Sequence, residues 1–485
     1  MSEVATPGRD VATPTFVVVG NVNQGKSSIV ATLAEDNSVP IDPLPGTTIK
    51  AGEYAFRVGG DIVFRVVDTP GFQRARHALA WMLPHATTPA ERPRAVAEFV
   101  RAHQRDERFV DEVRLLQPIL AGGSHIYVVD ASSHFEPSSE AEMEILRWTG
   151  QPGMAILNRT HGRDYSAEWR PILAQFFHVV REFDAHRATF ADRLDLLRGF
   201  REVRQDWRAP MDRAIAVMQT EWQARGERAA MAIADMMVRA LTHVERRPVT
   251  ENDDRDAVRG KLDLAFADAM RDAERSARSE VETIYGHRRV QRHEEGIALL
   301  DADLLSEESF RAFGLTRAQL AKQGLLWGGA LGLAVDLMVG GFSGFAGMAI
   351  GAGIGAVTGF FGTMHLSRVW SESSKLSKLL FPGAPGRFLA LGPVTNPSFA
   401  WVLLDRALVH CRSVRDRSHA RHDALDLRGD KVGLAANLPQ EVRRELDDAL
   451  RALLQGALRG TTEPALRTRL ANAVARALAS SPGPS

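Results

Sequence analysis

Hydrophobic positions in the first part of the chain fall into short runs. Thr15–Val19 is β-branched and aromatic, Glu53–Val58 alternates apolar with polar, and Ile62–Val67 is a second apolar run. Ile126–Val129, Met154–Leu157 and His178–Phe183 follow, each set off by turn residues or an amphipathic stretch. Apolar strands alternating with helical stretches predict an α/β domain over residues 15–186. Its mostly parallel sheet should carry helices on both faces.

Beyond residue 186 the period changes. Heptad-like patches in Arg193–Val203, Met211–Val244 and Val258–Ile284, punctuated by Pro210, Pro248 and the acidic turn Glu251–Asp254, predict a helical domain over 187–323. Residues 367–485 read as a mainly helical region, with helices at Phe399–Val414, Pro439–Leu458 and Pro464–Ala479. Phe381–Pro397, with four prolines and three glycines, reads as a loop or a small irregular unit. Residues 1–14 are polar and rich in Pro and Thr, and are expected to be a disordered lead without a secretory apolar core.

Residues 324–366 stand apart. Between 324 and 364 there are thirteen glycines and a single charge, Asp336. Glycines at 324, 328, 332, 340 and 344, then at 347, 351, 355 and 359, follow a four-residue period that places each set on one helix face. Each costs roughly 0.8–1 kcal/mol against Ala in a soluble helix, so close backbone packing of a glycine-rich hydrophobic hairpin is expected. Leu337–Met364 is free of charge, and Arg317, Lys322, Arg368, Lys375 and Lys378 flank the segment with Trp327 and Trp370. A hairpin in a membrane is the favoured reading. A glycine-rich pair inside the helical core is the alternative, supported by Asp336.

Composition narrows the classes. Apolar residues at 45% and charged residues at 25% exclude a wholly disordered chain. Sixty basic against sixty acidic residues exclude a chain-wide nucleic-acid footprint. Cys411 is the sole cysteine, so no disulfide can form within the chain, in keeping with a reducing cytoplasm.

The chemistry is concentrated after the first strand, at Gly20-Asn21-Val22-Asn23-Gln24-Gly25-Lys26-Ser27, followed by Ser28. This G-x-x-x-x-G-K-S lies between a strand and a helix, as a phosphate cradle requires. The two glycines let the backbone wrap phosphate oxygens, and N–H groups and the helix N-terminus point at the anion. Lys26 reaches the β- and γ-phosphates, and the Ser27 hydroxyl is placed for Mg²⁺. Asp68-Thr69-Pro70-Gly71 ends the third strand; its carboxylate can support Mg²⁺ through water, and the Gly71 N–H can sense the γ-phosphate. In Pro45-Gly46-Thr47-Thr48, Thr48 is favoured over Thr47 to complete the Mg²⁺ shell.

These motifs, together with the strand Ile126-Tyr127-Val128-Val129-Asp130, resemble the Era/TrmE-like branch of translation-factor-class GTPases over residues 15–186. The resemblance implies GTP as substrate, Mg²⁺ as cofactor, and Lys26, Asn23 and Thr48 as catalytic residues. Asn23 would coordinate a K⁺ ion. Phe72 stands where Ras-like proteins carry a glutamine, and it cannot orient water. The resemblance therefore implies slow intrinsic hydrolysis, helped by K⁺, a partner or a nucleotide-dependent dimer. The base-reading motif departs from the branch: Asn158 and Arg159 are in place, but His161 replaces the aspartate, with Asp164 three residues on as a substitute. Asp184-Ala185-His186 occupies the last base-contacting loop. The chain as a whole resembles a bacterial group of uncharacterised GTPases whose C-terminal part is a domain of unknown function.

From Phe72 to residue 120 the chain carries an extended insert, with Arg74, Arg76, Arg92, Arg94, Arg101, Arg105, Arg108 and Arg114. Either it is a basic effector surface, or it is a pair of solvated amphipathic helices, since Glu91, Glu98, Asp106, Glu107, Asp111 and Glu112 are interleaved. The latter is favoured. The expectation is thus a cytoplasmic-facing GTP/GDP switch at the inner membrane with an unknown protein effector. Ribosome or nucleic-acid association and a non-catalytic nucleotide-binding scaffold are the alternatives.

Overall fold

A computed structural model describes residues 13–20, 25–34, 52–58, 61–159, 163–185, 187–287, 367–371, 387–417, 434–461 and 463–480. The glycine-rich segment 324–366 lies outside the described residues. The chain divides into two compact units, the first holding residues 1–223 and 416–422, the second 224–415 and 423–485.

The first unit is built on a six-stranded sheet of β1 (Thr15–Val19), β2 (Gly52–Val58), β3 (Asp61–Asp68), β4 (Ser124–Asp130), β5 (Gly153–Asn158) and β6 (Val179–Glu182). The order is β2-β3-β1-β4-β5-β6. Only β2 is antiparallel to its neighbour; β3, β1, β4, β5 and β6 run parallel. The apolar runs that became β1, β4 and β5 did so because their side chains are needed on both sides. In β1, Val17 and Val19 face one core while Phe16 and Val18 face the other.

One core is covered by α2 (Ala75–Met82), α3 (Arg92–Ala102), α4 (Val110–Leu120), α5 (Ser138–Trp148) and α6 (Ser166–Leu173). The other is covered by α1 (Lys26–Ala34), α7 (Phe190–Val203) and the first part of α8 (Arg208–Thr242). The packing of Leu194, Leu197, Phe200, Met211 and Met218 against Phe16 and Ile156 carries the first unit past residue 186.

The insert is three helices rather than two. Phe72, Ala78, Met82, Val96, Phe99, Leu116 and Ile119 anchor it in the core. Arg74, Arg76, Arg94, Arg101, Arg105 and Arg108 are exposed, and Arg94 and Arg108 pair with Glu98 and Asp106. This is the solvated mixed-charge face, with one correction: Glu112, read with that face, is fully buried.

The second unit holds the rest of α8, then α9 (Arg255–Ile284), α10 (Pro397–Arg415), α11 (Gln440–Leu458) and α12 (Pro464–Ser480). It also contains a small antiparallel sheet of β7 (Glu245–Pro248), β9 (Arg387–Leu391) and β8 (Ser367–Ser371), in the order β7-β9-β8. The stretch Phe381–Pro397, read as a loop or irregular unit, therefore contributes the central strand of a sheet. Phe388, Leu389, Ala390 and Leu391 are buried there. Arg406 of α10, almost fully buried, donates through Nε to Glu274 of α9 at 2.9 Å, and Arg278 meets the same carboxylate at 2.5 Å. Cys411 is buried in α10. Among the described residues no helix is long and apolar enough to cross a membrane.

Candidate functional site

The parallel pairing of β1 with β3 puts Val18 opposite Asp68, so both strands end on the same edge of the sheet. The Thr69 hydroxyl fixes the exit of β3 by donating to the Val18 carbonyl at 2.7 Å. Gly20 has φ 141° and Gly25 has φ 82°, conformations that a side chain disfavours, so the glycines that bracket the cradle are required by backbone geometry. Asn21, Val22, Asn23 and Gln24 lie outside the described residues.

α1 starts at Lys26, which is 8% exposed. Burial pushes its ammonium down to about 8, while the carboxylates of Asp68 and Glu142 pull the other way. Ser27 Oγ donates to Asp68 Oδ2 at 3.0 Å. Ser28 is buried, and its carbonyl accepts from Thr32 Oγ1 at 2.8 Å. The Ser27 hydroxyl and the Asp68 carboxylate form a pair of hard oxygen donors at the phosphate end of α1, a donor set that fits Mg²⁺. Thr47 and Thr48 lie outside the described residues. Gly71 is buried, and the Phe72 side chain is part of the core.

Asn158 ends β5 and is fully buried. Its Oδ1 accepts from the Ala185 N–H at 3.3 Å, and the Ala185 carbonyl accepts from Thr32 Oγ1 at 3.1 Å. Three segments predicted to surround a nucleotide are thereby tied together. Asp184 accepts from the Arg187 N–H at 3.2 Å. Arg159 is exposed and pairs with Asp164 at 3.2 Å. Asp164 also accepts from the Ser166 N–H at 2.9 Å at the start of α6. Hydrogen bonds from Ser166, with the Arg159 charge, hold its carboxyl below the usual range. The residue proposed to replace the lost aspartate is thus engaged at a helix start. His161 and His186 lie outside the described residues.

Sequence reasoning missed an acidic cluster beneath this site. Glu112 of α4 is 0% exposed, and its Oε1 accepts from the backbone N–H of Gln73 at 2.9 Å and of Arg74 at 2.5 Å. Glu142 of α5 is buried and accepts from Tyr127 Oη at 3.0 Å. Burial pushes the Glu142 carboxyl up to about 7; Tyr127 and Lys26 oppose the shift, and Glu112 and Glu136 add to it. The signal was present in the register. Glu112 falls on the stripe of Phe109, Val113 and Leu116, and Glu142 on the stripe of Ser139, Met143 and Leu146, where a carboxylate cannot reach water.

Two protein families match the chain. The family described as 50S ribosome-binding GTPase matches residues 15–158, and the domain of unknown function DUF3482 matches residues 170–479. GTPase Der of Paraburkholderia phymatum is 25% identical over 153 residues, which is 32% of this chain and 28% of that protein. GTPase Der of Azorhizobium caulinodans is 28% identical over 149 residues, 31% of this chain and 27% of that protein. The chain thus spans less than a third of the length of these relatives. A crystal structure of Aquifex aeolicus Era bound to GDP and aluminium fluoride superposes with a TM-score of 0.27 at 13% identity, covering 56% of this chain and 90% of that one. A score that low bears no argument.

Proposed function

We propose that this chain, which belongs to the DUF3482 family and carries a P-loop GTPase domain before it, binds GTP and hydrolyses it as a molecular switch. The observation that supports this best is the cradle. Two positive-φ glycines end in a buried lysine, and the adjacent serine is hydrogen-bonded to the aspartate that closes β3. Lys26 and the loop N–H groups would neutralise charge that develops on the phosphoryl oxygens. Ser27, Thr48 and Asp68 would hold Mg²⁺, which supplies further charge neutralisation there. The Gly71 N–H would read the γ-phosphate. Phe72 is buried and cannot orient a water, so intrinsic turnover is expected to be slow, and Asn23 would hold the K⁺ that assists it.

The test is phosphate release from GTP in KCl and in NaCl at equal ionic strength. Wild type should turn over faster in KCl, and Lys26→Ala should lose turnover by at least about a hundredfold, the scale of a lost oxyanion donor. A Lys26→Ala protein with wild-type turnover would overturn the assignment, and equal rates in the two salts would remove K⁺ from it.

The effector end of the switch is assigned to residues 324–366. Their thirteen glycines and single charge between 324 and 364 favour a hairpin that associates with a membrane. A second reading, a ribosome-associated GTPase, is favoured by the description of the family that matches residues 15–158.

A further inference from the structure

The start of α2 is held by a group far away in sequence. Its N-cap residue, Arg74, makes no side-chain cap. The free N–H groups of Gln73 and Arg74 both donate to Oε1 of Glu112. Glu112 lies on α4, has no exposed surface, and among the described residues its Oε2 has no hydrogen-bond partner. Glu142 repels it and is itself tied to Tyr127 and drawn by Lys26. An apolar side chain would fill this position at lower cost, because burying a carboxylate is expensive unless it is used.

The use is legible in what Glu112 grips. The two N–H groups lie two and three residues after Gly71, in the stretch that leaves Asp68-Thr69-Pro70-Gly71. The side chain of Phe72 in that stretch is turned into the core. Phe72 therefore cannot organise the phosphate end, and the placement of the backbone gains weight. We propose that Glu112 is a positioning residue for hydrolysis, fixing through Gln73 and Arg74 where the Gly71 N–H lies relative to the γ-phosphate. The assignment rests on the hydrolysis reading above. It adds a residue from the insert, and it gives the insert a part in turnover that its solvated outer face does not supply.

The discriminating variant is Glu112→Gln, which keeps shape and one acceptor but loses the charge that strengthens both bonds. Misplacement by about an ångström can cost roughly a hundredfold in rate. Single-turnover GTP hydrolysis should therefore fall ~10- to 100-fold, and affinity for a non-hydrolysable GTP analogue should fall as well. Affinity for GDP should stay within about twofold, since the cradle holds the remaining phosphates. A merely structural glutamate would lower GDP affinity equally, and that result overturns the proposal. So does a variant that hydrolyses GTP at the wild-type rate beside an active wild type. A wild type that releases no phosphate overturns the function reading and this assignment together. Should Glu112→Gln fail to fold, amide hydrogen exchange in the wild type decides. Protection of the Gln73 and Arg74 amides that changes with the GTP analogue and not with GDP is the expected result; exchange at the unprotected rate, or the same change with both nucleotides, overturns it.

Discussion

Glu142 and His125 are buried titratable groups with opposite effects on stability. The fold raises the Glu142 carboxyl from 4.5 to about 7, so between those values the native protein keeps a proton that the unfolded chain has lost. The stabilisation is complete below 4.5 and is lost as pH rises through about 7. His125 on β4 is lowered by burial from 6.5 to about 4, so the unfolded chain takes up a proton that the native protein refuses. Its stabilisation is complete above 6.5 and is lost as pH falls towards 4. Glu142→Gln isolates the first effect. Without nucleotide, the variant should gain on wild type by roughly 2.5 kcal/mol between pH 5 and pH 8, the part of the displacement that this window spans at about 1.36 kcal/mol per unit. Urea midpoints at the two pH values measure this, and a constant difference would show that Glu142 ionises freely.

Elements differ in how openly the sequence announced them, and the reason is where their side chains point. Thr15–Val19, Ile62–Val67 and Met154–Leu157 became β1, β3 and β5 because a strand buried on both faces must be a continuous apolar run. The glycines after β1 were equally plain, since Gly20 and Gly25 take positive φ and Lys26 opens a helix. The strand β7 was hidden: Glu245-Arg246-Arg247-Pro248 is largely exposed at the edge of its sheet and has no apolar face to betray it. Glu112 and Glu142 were hidden for the opposite reason, because glutamate on a helix ordinarily marks the wet side. Arg406 is a third case, an arginine sealed between α9 and α10 against Glu274. Arg406→Met should cost roughly 2 kcal/mol in denaturant unfolding of the second unit, since it leaves the buried Glu274 carboxylate with Arg278 alone of its two arginines. Adding Glu274→Gln should recover part of that loss, and strict additivity of the two changes would deny the coupling.

At the scale of the whole molecule the open assignment is residues 324–364, which can be tested by removal. The wild-type protein should remain with membranes after carbonate extraction, and deletion of 324–364 should release it with GTP turnover intact. A wild type found in the supernatant without detergent would refute membrane association. The order of strands carries a further consequence, for the way the chain is made. β1 precedes both of its neighbours in the chain, yet it sits between β3 and β4. Val17 must wait for Val67 on one side and for His125 on the other. The insert between β3 and β4 lengthens the second wait by three helices. Closing such distant pairs is slow, and until it happens both edges of an apolar strand stay open to the wrong partner. The strand that carries the proposed phosphate cradle is therefore open to mispairing until β4 has been made.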